Sequence, residues 1–545
     1  MPNETKQRVV VLGGGFGGVF TAKHLRRAAS SNVEVLLISR HNFFVFQPLL
    51  AEIAGGSINP SDGVTPLRRF LPGVAVMVAE VLEIDLAAKT VAVTLGPDSG
   101  IRTIPYDQLV IALGQVVDLS RTPGLADSAL VMKDLMDAFS IRNKVLGCLE
   151  RADVATDPVR KQSLLTFVVI GGGFTGIETV GEVNELIGNS LKYYPNIRAD
   201  EIKVILIQHG SRILMELPEH LATYAADQLR RRGIEIRLDT GVGAATATSI
   251  KTDDGQSIEA ETIIAAIGNA PSPLVRSLPV ALERGRIVVD RHLRVPDQDG
   301  VWALGDNAQI PLGDANDGKT AYAPPLAQFA FREAKVLARN ILAQIEGRPL
   351  TAFAYKSLGT MASLGGRRGV AEILGVRITG FIAWAAWRVF YLGLLPGVST
   401  RIRVAADWLL DLMVSKSIAE IRAAQPTSGQ VNFRSGELVF VPGIDPGGLY
   451  VVTAGLFEVG ADPKPAAEGQ GEPTGPTRKL GPGDHFGMPL EGTAGSGDGW
   501  ARACEESIAY FVSKDDLHRL AMVAALIGNK ENSNAASRIA GAHDR

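Results

Sequence analysis

Residues 8–12, RVVVL, form an almost unbroken apolar run, the pattern of a strand buried on both faces. From Phe20 to Arg27 the spacing turns helical, with Lys23, Arg26 and Arg27 outward, and a second apolar run spans Val33 to Ile38. The same order recurs: Leu165 to Ile170 predicts a strand, Ile177 to Ile187 a helix, and Ile202 to Ile207 the next strand. YDQLVIALG (Tyr106 to Gly114) and AETIIAAIG (Ala260 to Gly268) read as strands ending in glycine. GVWALGDNAQ (Gly300 to Gln309) sets Asp306 after a strand and a glycine.

Between strand and helix, each repeat carries a glycine turn. The first holds Gly13, Gly15 and Gly18, the second Gly171, Gly173 and Gly176, both at G-x-G-x-x-G spacing. Strand, glycine turn and helix in that order are the context the dinucleotide fingerprint requires. The first glycine permits the tight turn, the second lets a pyrophosphate approach the backbone, and the third lets helix pack on strand. The helix N-terminus then offers free N–H groups to phosphate. Two copies predict two dinucleotides in one chain, a flavin in the first fold and a nicotinamide in the second, with hydride passed between them.

Past residue 350 the pattern changes. Ile378 to Leu395 is nearly all apolar, interrupted by Arg388 and ended by Pro396–Gly397. It is short for a span, and Trp384, Trp387 and Tyr391 are residues that favour an interface. Thr400 to Val414 is amphipathic, with Ile402, Ala405, Leu409, Leu412 and Met413 on one side and Arg403, Asp407 and Asp411 on another. Two such helices predict a monotopic anchor lying in one leaflet. The alternative is a pair buried in a soluble interface, and dimerisation through this region is equally compatible.

Composition narrows the partners. The 545 residues are 46% hydrophobic and 21% charged with a net charge of −3, so large cores are expected and nucleic acid is not. The opening MPNETKQRVVVLGGG has no apolar signal core, which predicts no export. Cys148 and Cys504 are too far apart for a C-x-x-C pair, so cysteine redox chemistry is excluded and a reducing, cytoplasmic setting follows. No metal site is assigned.

Three further stretches carry a family resemblance. HNFFVFQPLLAEIAGG (His41 to Gly56), APPLAQFAFREAKVLARNI (Ala323 to Ile341) and the segment Phe353 to Pro396 resemble the type II (alternative) NADH:quinone oxidoreductases, over about residues 8–415. The resemblance implies FAD held at Gly13, Gly15 and Gly18, Pro48 near the isoalloxazine, and Asp306 at the ribityl and phosphate region. It implies NADH held at Gly171, Gly173 and Gly176, with Glu178 near nicotinamide and flavin. Glu178 also reads as an ordinary early-helix acid favoured by the macrodipole.

The sequence departs from that family in two places. In the flavin fold Ser39 stands where an acidic residue would end the second strand, though a serine can still bond a ribose hydroxyl. In the nicotinamide fold Gln208 stands there. A carboxylate would bind the ribose 2′-OH and repel a 2′-phosphate. Glutamine repels nothing, and Arg212 lies four residues on. Two readings stay open: NADPH is tolerated beside NADH, or Gln208 simply bonds the NADH ribose. In the quinone region the family's A-Q-x-A-x-Q becomes Ala327 to Arg332, keeping Gln328 but placing Arg332 last, and its Y-K-D-K-G becomes Tyr355 to Gly359 with Leu358 for lysine. Either the positive charge has moved across the site, still polarising a quinone carbonyl, or the site has decayed. The persisting membrane segment favours the first.

Beyond Met413 short alternating strands follow. Phe433 to Glu437, Leu449 to Gly455 and Leu480 to Gly487 resemble the motifs of a cyclic-nucleotide-binding β-roll. Its ligand cassette is degenerate: Met488 replaces a glutamate, and Arg502 falls on the next strand rather than where a phosphate would need it. Lys514 to Leu520 reads as a short helix and 526–545 as a disordered tail.

The expected fold class is α/β, with two interleaved Rossmann-like domains, an amphipathic membrane-anchor segment and an appended β-roll. The expected division is 1–120 with 290–350 for FAD, 121–289 for NAD(P)H, 351–420 for the membrane and 430–525 for the roll. The expected function is an FAD-dependent, non-proton-pumping NAD(P)H:quinone oxidoreductase, peripheral on the cytoplasmic face of the cell membrane, with Glu178, Gln328 and Arg332 as its catalytic residues. The alternatives are a soluble NAD(P)H oxidase or diaphorase, and a flavin redox sensor signalling through the β-roll.

Overall fold

In a computed structural model of the chain, Gln7–Leu12 is the middle strand of a parallel five-stranded sheet. The order across that sheet is Val301–Ala303, Gln108–Ile111, Gln7–Leu12, Val33–Ser39, Ala75–Val78. A second parallel sheet has the order Leu130–Val131, Thr262–Ala265, Thr166–Ile170, Lys203–Ile207, Ile234–Arg237. In both, the strand entering the glycine turn is central, flanked by its successor and by a late strand ending in glycine. Val9 to Leu12 and Phe167 to Val169 are fully buried, which is why both runs are apolar without alternation.

The structure describes residues 6–29, 32–95, 100–314, 320–421, 428–440, 447–460, 477–487, 499–513 and 516–517. Every strand of the second sheet falls between Gln108–Ile111 and Val301–Ala303 of the first, so the second fold is inserted in the first. Gln115–Val117 and Asn269–Pro271, the outgoing and returning connections, pair antiparallel.

The glycine helices run over Phe16–Ala28 and Phe174–Ser190, each starting three or four residues earlier than its apolar spacing predicts. Polarity alone misses this first turn because it contains the turn's own glycines. A Cβ on Gly18 would collide with the Gly13 carbonyl oxygen, and one on Gly176 with that of Gly171.

The chain divides into two units, one of residues 1–78, 84–90 and 105–421, the other of 79–83, 91–104 and 422–545. In the first, an antiparallel sheet of Gly359–Ser363, Gly369–Ile373 and Val376–Thr379 leads into helices Gly380–Leu394 and Val398–Met413. The apolar stretch read as one helix from Ile378 thus begins as a strand. Trp384 and Trp387 do not sit at an interface: they are 7% and 1% exposed, and Arg388 beside them is buried in an ion pair with Glu52. The second helix buries Thr400, Val404 and Trp408 rather than the apolar side read from the sequence. Arg403 pairs with Asp62, Asp407 accepts from the Asn59 N–H and Asp411 faces Arg388, while Ile402, Leu409, Leu412 and Met413 are exposed. Among the described residues no helix is long and apolar enough to cross a membrane.

The second unit contains two four-stranded antiparallel sheets. One orders Gly429–Phe433, Ser507–Ser513, Gly448–Ala454 and His485–Gly487; the other Leu438–Phe440, Trp500–Ala503, Phe457–Gly460 and Thr477–Leu480. Phe433, Val452, Phe457, Phe486 and Ala509 fill the space between them. Arg502 does lie on a strand, paired with Glu458 at 2.8 Å, which spends its charge inside the unit. Met488, most of the helix read at Lys514 to Leu520 and the tail read at 526–545 fall outside the described residues.

Candidate active site

The two glycine turns share one geometry. Gly13 and Gly171 have φ of +113° and +111°, which disfavours any side chain. Gly15 and Gly173 cap their helices, and a Cβ on either would meet nothing within 4 Å. Neither helix start has a side-chain cap or a first-turn acid. Each turn therefore opens uncapped N–H groups onto free space, the fit a pyrophosphate needs.

The flavin side has buried charge in waiting. Asp306 sits in a 3₁₀ turn, Gly305–Asn307, with its carboxyl raised by burial and held down in part by Lys133 and Arg286. Arg286 Nη1 is buried without a partner, an orphan donor that suits an oxygen-rich ligand. Glu333 accepts from the Gly305 N–H at 2.9 Å, and burial pushes it up to about 8. Asn307 fixes the turn by accepting from the Gly114 N–H at 2.9 Å and donating to the Ile111 carbonyl at 3.0 Å. The Asp306 reading overlooked its neighbour, whose signal was its place in the G-D-N triplet. Ser39 is buried and donates its hydroxyl proton to the His41 carbonyl, so it faces any ribose as an acceptor only. Pro48 is half-buried in the turn Gln47–Leu49.

On the nicotinamide side, Gln208 Oε1 accepts from the Gly172 N–H at 2.8 Å. That bond fixes the amide, and what remains toward a ligand is its Nε2 donor. Arg212 donates to the carbonyls of Leu217 and Met215, so its guanidinium braces its own loop.

Glu178 is carried by the helix from the second turn to the C-terminal sheet. Its Oε1 accepts from the Ser363 N–H at 3.1 Å and Trp387 Nε1 at 3.2 Å. Burial, with a smaller push from Glu52, raises its carboxyl to about 8 despite the Ser363 bond. One turn on, Glu182 Oε2 lies 3.3 Å from Ser57 Oγ and 3.6 Å from Lys416 Nζ. Glu52 accepts from Arg388 at 3.0 Å and Trp408 Nε1 at 2.7 Å, and its carboxyl is raised by burial against the pull of Arg388. Sequence reasoning missed Glu52 and Glu182. The signal was Arg388 itself, since a single charge inside an apolar helix needs a buried partner.

Gln328 and Arg332 come together with Tyr355 and Ser357. Tyr355 donates to Gln328 Oε1 at 3.2 Å, and Gln328 Nε2 donates to Ser357 Oγ at 3.3 Å. Arg332 lies over the Tyr355 ring at 4.2 Å and donates to the Gln328 carbonyl at 2.8 Å. Leu358 is exposed. Gln328 reaches the Gly359 carbonyl and Glu178 the Ser363 N–H, so the two groups stand at opposite ends of one strand.

Residues 7–334 match the pyridine nucleotide-disulphide oxidoreductase family, and residues 357–417 match the NDH2 C-terminal domain. A type II NADH:quinone oxidoreductase of Mycobacterium tuberculosis is 33% identical over 427 residues, covering 75% of this chain and 89% of the relative. The chain belongs to the type II NADH:quinone oxidoreductase family. An internal alternative NAD(P)H-ubiquinone oxidoreductase of Arabidopsis thaliana is 30% identical over 448 residues, 76% of this chain and 86% of its own. The structure of Plasmodium falciparum NDH2 in complex with NADH has the same fold, with a TM-score of 0.70 at 20% identity, covering 76% of this chain and all of that one. The matched NDH2 C-terminal domain ends at residue 417, and the cyclic-nucleotide-binding likeness of 430–525 gains no support from these matches.

Proposed function

We propose that this family member is an FAD-dependent, non-proton-pumping oxidoreductase that takes hydride from NADH, and from NADPH as well, and reduces a quinone. FAD, when bound, supplies the two-electron carrier between nicotinamide and quinone. The observation that carries the reading is the convergence at Glu178: a helix starting at one open glycine turn delivers this carboxyl to the C-terminal sheet, beside Glu52 of the other fold.

Gly13, Gly15 and Gly18 with Asp306, Arg286 and Lys133 would hold FAD, with Ser39 toward its ribose and Pro48 near its ring. Gly171, Gly173 and Gly176 would hold the nicotinamide pyrophosphate, and Gln208 its ribose. Glu178 holds a proton at neutral pH for the quinol. Gln328 and Arg332 orient the quinone and polarise its carbonyl.

We assign 1–120 with 290–350 to FAD, 121–289 to NAD(P)H, 351–420 to the membrane and 430–525 to a regulatory or assembly module of degenerate cyclic-nucleotide-binding type. The outward apolar faces of Gly380–Leu394 and Val398–Met413 support peripheral attachment to one leaflet, which we assign to the cytoplasmic side in a form compatible with a dimer.

The test is anaerobic. NADH should bleach the flavin's visible band, and a soluble quinone should restore it rapidly. Bleaching without return would leave an oxidase or a sensor in place of a quinone reductase.

A further inference from the structure

Reduction of a quinone by NADH takes up one proton from solution: NADH, H⁺ and quinone give NAD⁺ and quinol. Glu178 is half-buried, with Trp387 donating to its carboxylate, and on the proposed reading bound nicotinamide and flavin would cover its open side, so the proton needs a second way in.

Glu178 and Glu182 lie one turn apart on the same face of Phe174–Ser190. Beyond Glu182 is a cavity of about 100 Å³, lined by Ser57, Glu182, Glu185, Arg388, Asp411 and Lys416 among others. Such a polar lining favours water, and the volume has room for several molecules. Ser57 Oγ reaches Glu182 at 3.3 Å at the cavity wall. Glu52, 1% exposed, lies on Leu50–Ala54, and Gly55, which follows that helix, packs directly against the Glu182 side chain. Lys416 and Arg388 come to the cluster from the C-terminal segment, and Arg232 from the end of Glu219–Arg231 through its pair with Glu185 at 3.0 Å. Arg367 and Asp411 complete the charged lining, and Tyr391 packs edge-on against Trp387, whose indole donates to Glu178.

We infer that this cavity is the proton inlet of the site, passing protons from water through Glu182 and Glu52 to Glu178. The inference rests on the quinone-reductase reading. Each step moves one proton from a carboxyl O–H to the next carboxylate, and the cavity water reprotonates Glu182; no electron moves. Glu182 is thus a positioning residue that acts through Glu178.

The full-length holoenzyme tests it. In Glu182→Gln, bleaching by NADH should stay within about twofold of the parent, because hydride transfer takes no proton from solution, while return of the band with quinone slows at least about tenfold. In the resting protein, the infrared band of the protonated Glu178 carboxyl, identified by its loss in Glu178→Gln, should exchange with D₂O at least about tenfold more slowly in Glu182→Gln. Glu182→Gln takes the carboxylate from Lys416, which keeps its bond to the Gly55 carbonyl; should the variant not fold, Ser57→Ala at the same wall should give the same split. Unchanged return and exchange, or equal slowing of both half-reactions, overturns the inlet alone. If the parent's own band never returns with quinone, the quinone-reductase reading falls and takes the inlet with it.

Discussion

Glu52 and Arg388, 336 residues apart in the chain, form a buried pair with the guanidinium donating twice to one carboxylate oxygen at 3.2 and 3.0 Å. Arg388 also lies over the rings of Trp384 and Trp408, at 4.2 and 4.8 Å. The pair ties the helix Gly380–Leu394 to Leu50–Ala54 of the flavin fold.

Removing Arg388 leaves the Glu52 carboxyl buried without its cation. Arg388→Ala should therefore cost about 3–5 kcal/mol of stability, and the double change Glu52→Leu with Arg388→Met should recover most of it. Denaturation followed by tryptophan fluorescence reads this directly, since three tryptophans surround the site. A single variant as stable as the parent would refute the pair's role.

Burial raises the Glu178 carboxyl to about 8, so it is held mostly protonated at neutral pH. Turnover with quinone should fall as pH rises through about 8, and Glu178→Gln should lose about 10²–10⁴-fold together with that limb. The same shift acts on stability. The native chain keeps protons on Glu178 and Glu333 that the unfolded chain has lost above 4.5, so their contribution declines as pH rises from 4.5 towards about 8. A flat pH–rate profile in the parent would contradict the proton-holding role.

Gln208 presents a donor, and nothing that repels a phosphate. The parent should accept NADPH alongside NADH. Gln208→Glu keeps the acceptor for the Gly172 N–H but turns the remaining group into an anion, so kcat/KM for NADPH relative to NADH should drop at least about tenfold, or about 1.4 kcal/mol. Equal loss for both coenzymes would mean that residue 208 only shapes the turn.

Arg332→Ala removes the cation over Tyr355. Flavin bleaching by NADH should be untouched while kcat/KM for quinone falls by about tenfold, a loss of about 1.4 kcal/mol. Unchanged quinone turnover would end the idea that the charge missing at Leu358 has moved to 332.

The outward apolar positions of Gly380–Leu394 and Val398–Met413 should bind lipid. Leu409→Glu and Met413→Glu each exchange an exposed apolar side chain for a charge, forgoing up to about 1.5–3 kcal/mol of burial apiece. Flotation with liposomes should show the double variant largely released, with soluble-quinone turnover retained. Continued flotation would point to attachment elsewhere.

Much of this was legible in the sequence because its causes are local. A strand buried on both faces must be apolar throughout, and a turn with φ near +110° must be glycine, so the two folds and their order could be read from RVVVLGGG and FVVIGGG. The glycine turns, the turn at Asp306 and the Gln208 departure are one-position signals of the same kind. What the sequence could not give is where long-range partners meet. Trp384, Trp387 and Arg388 in an apolar helix read as interface residues, because composition does not say which side of a helix faces the protein. Only packing decided that the aromatic and charged side turns inward to Glu52 and Glu178 while Leu409 and Met413 turn out. Burial of a charge depends on a partner hundreds of residues away, and that partner exists only once the chain is folded.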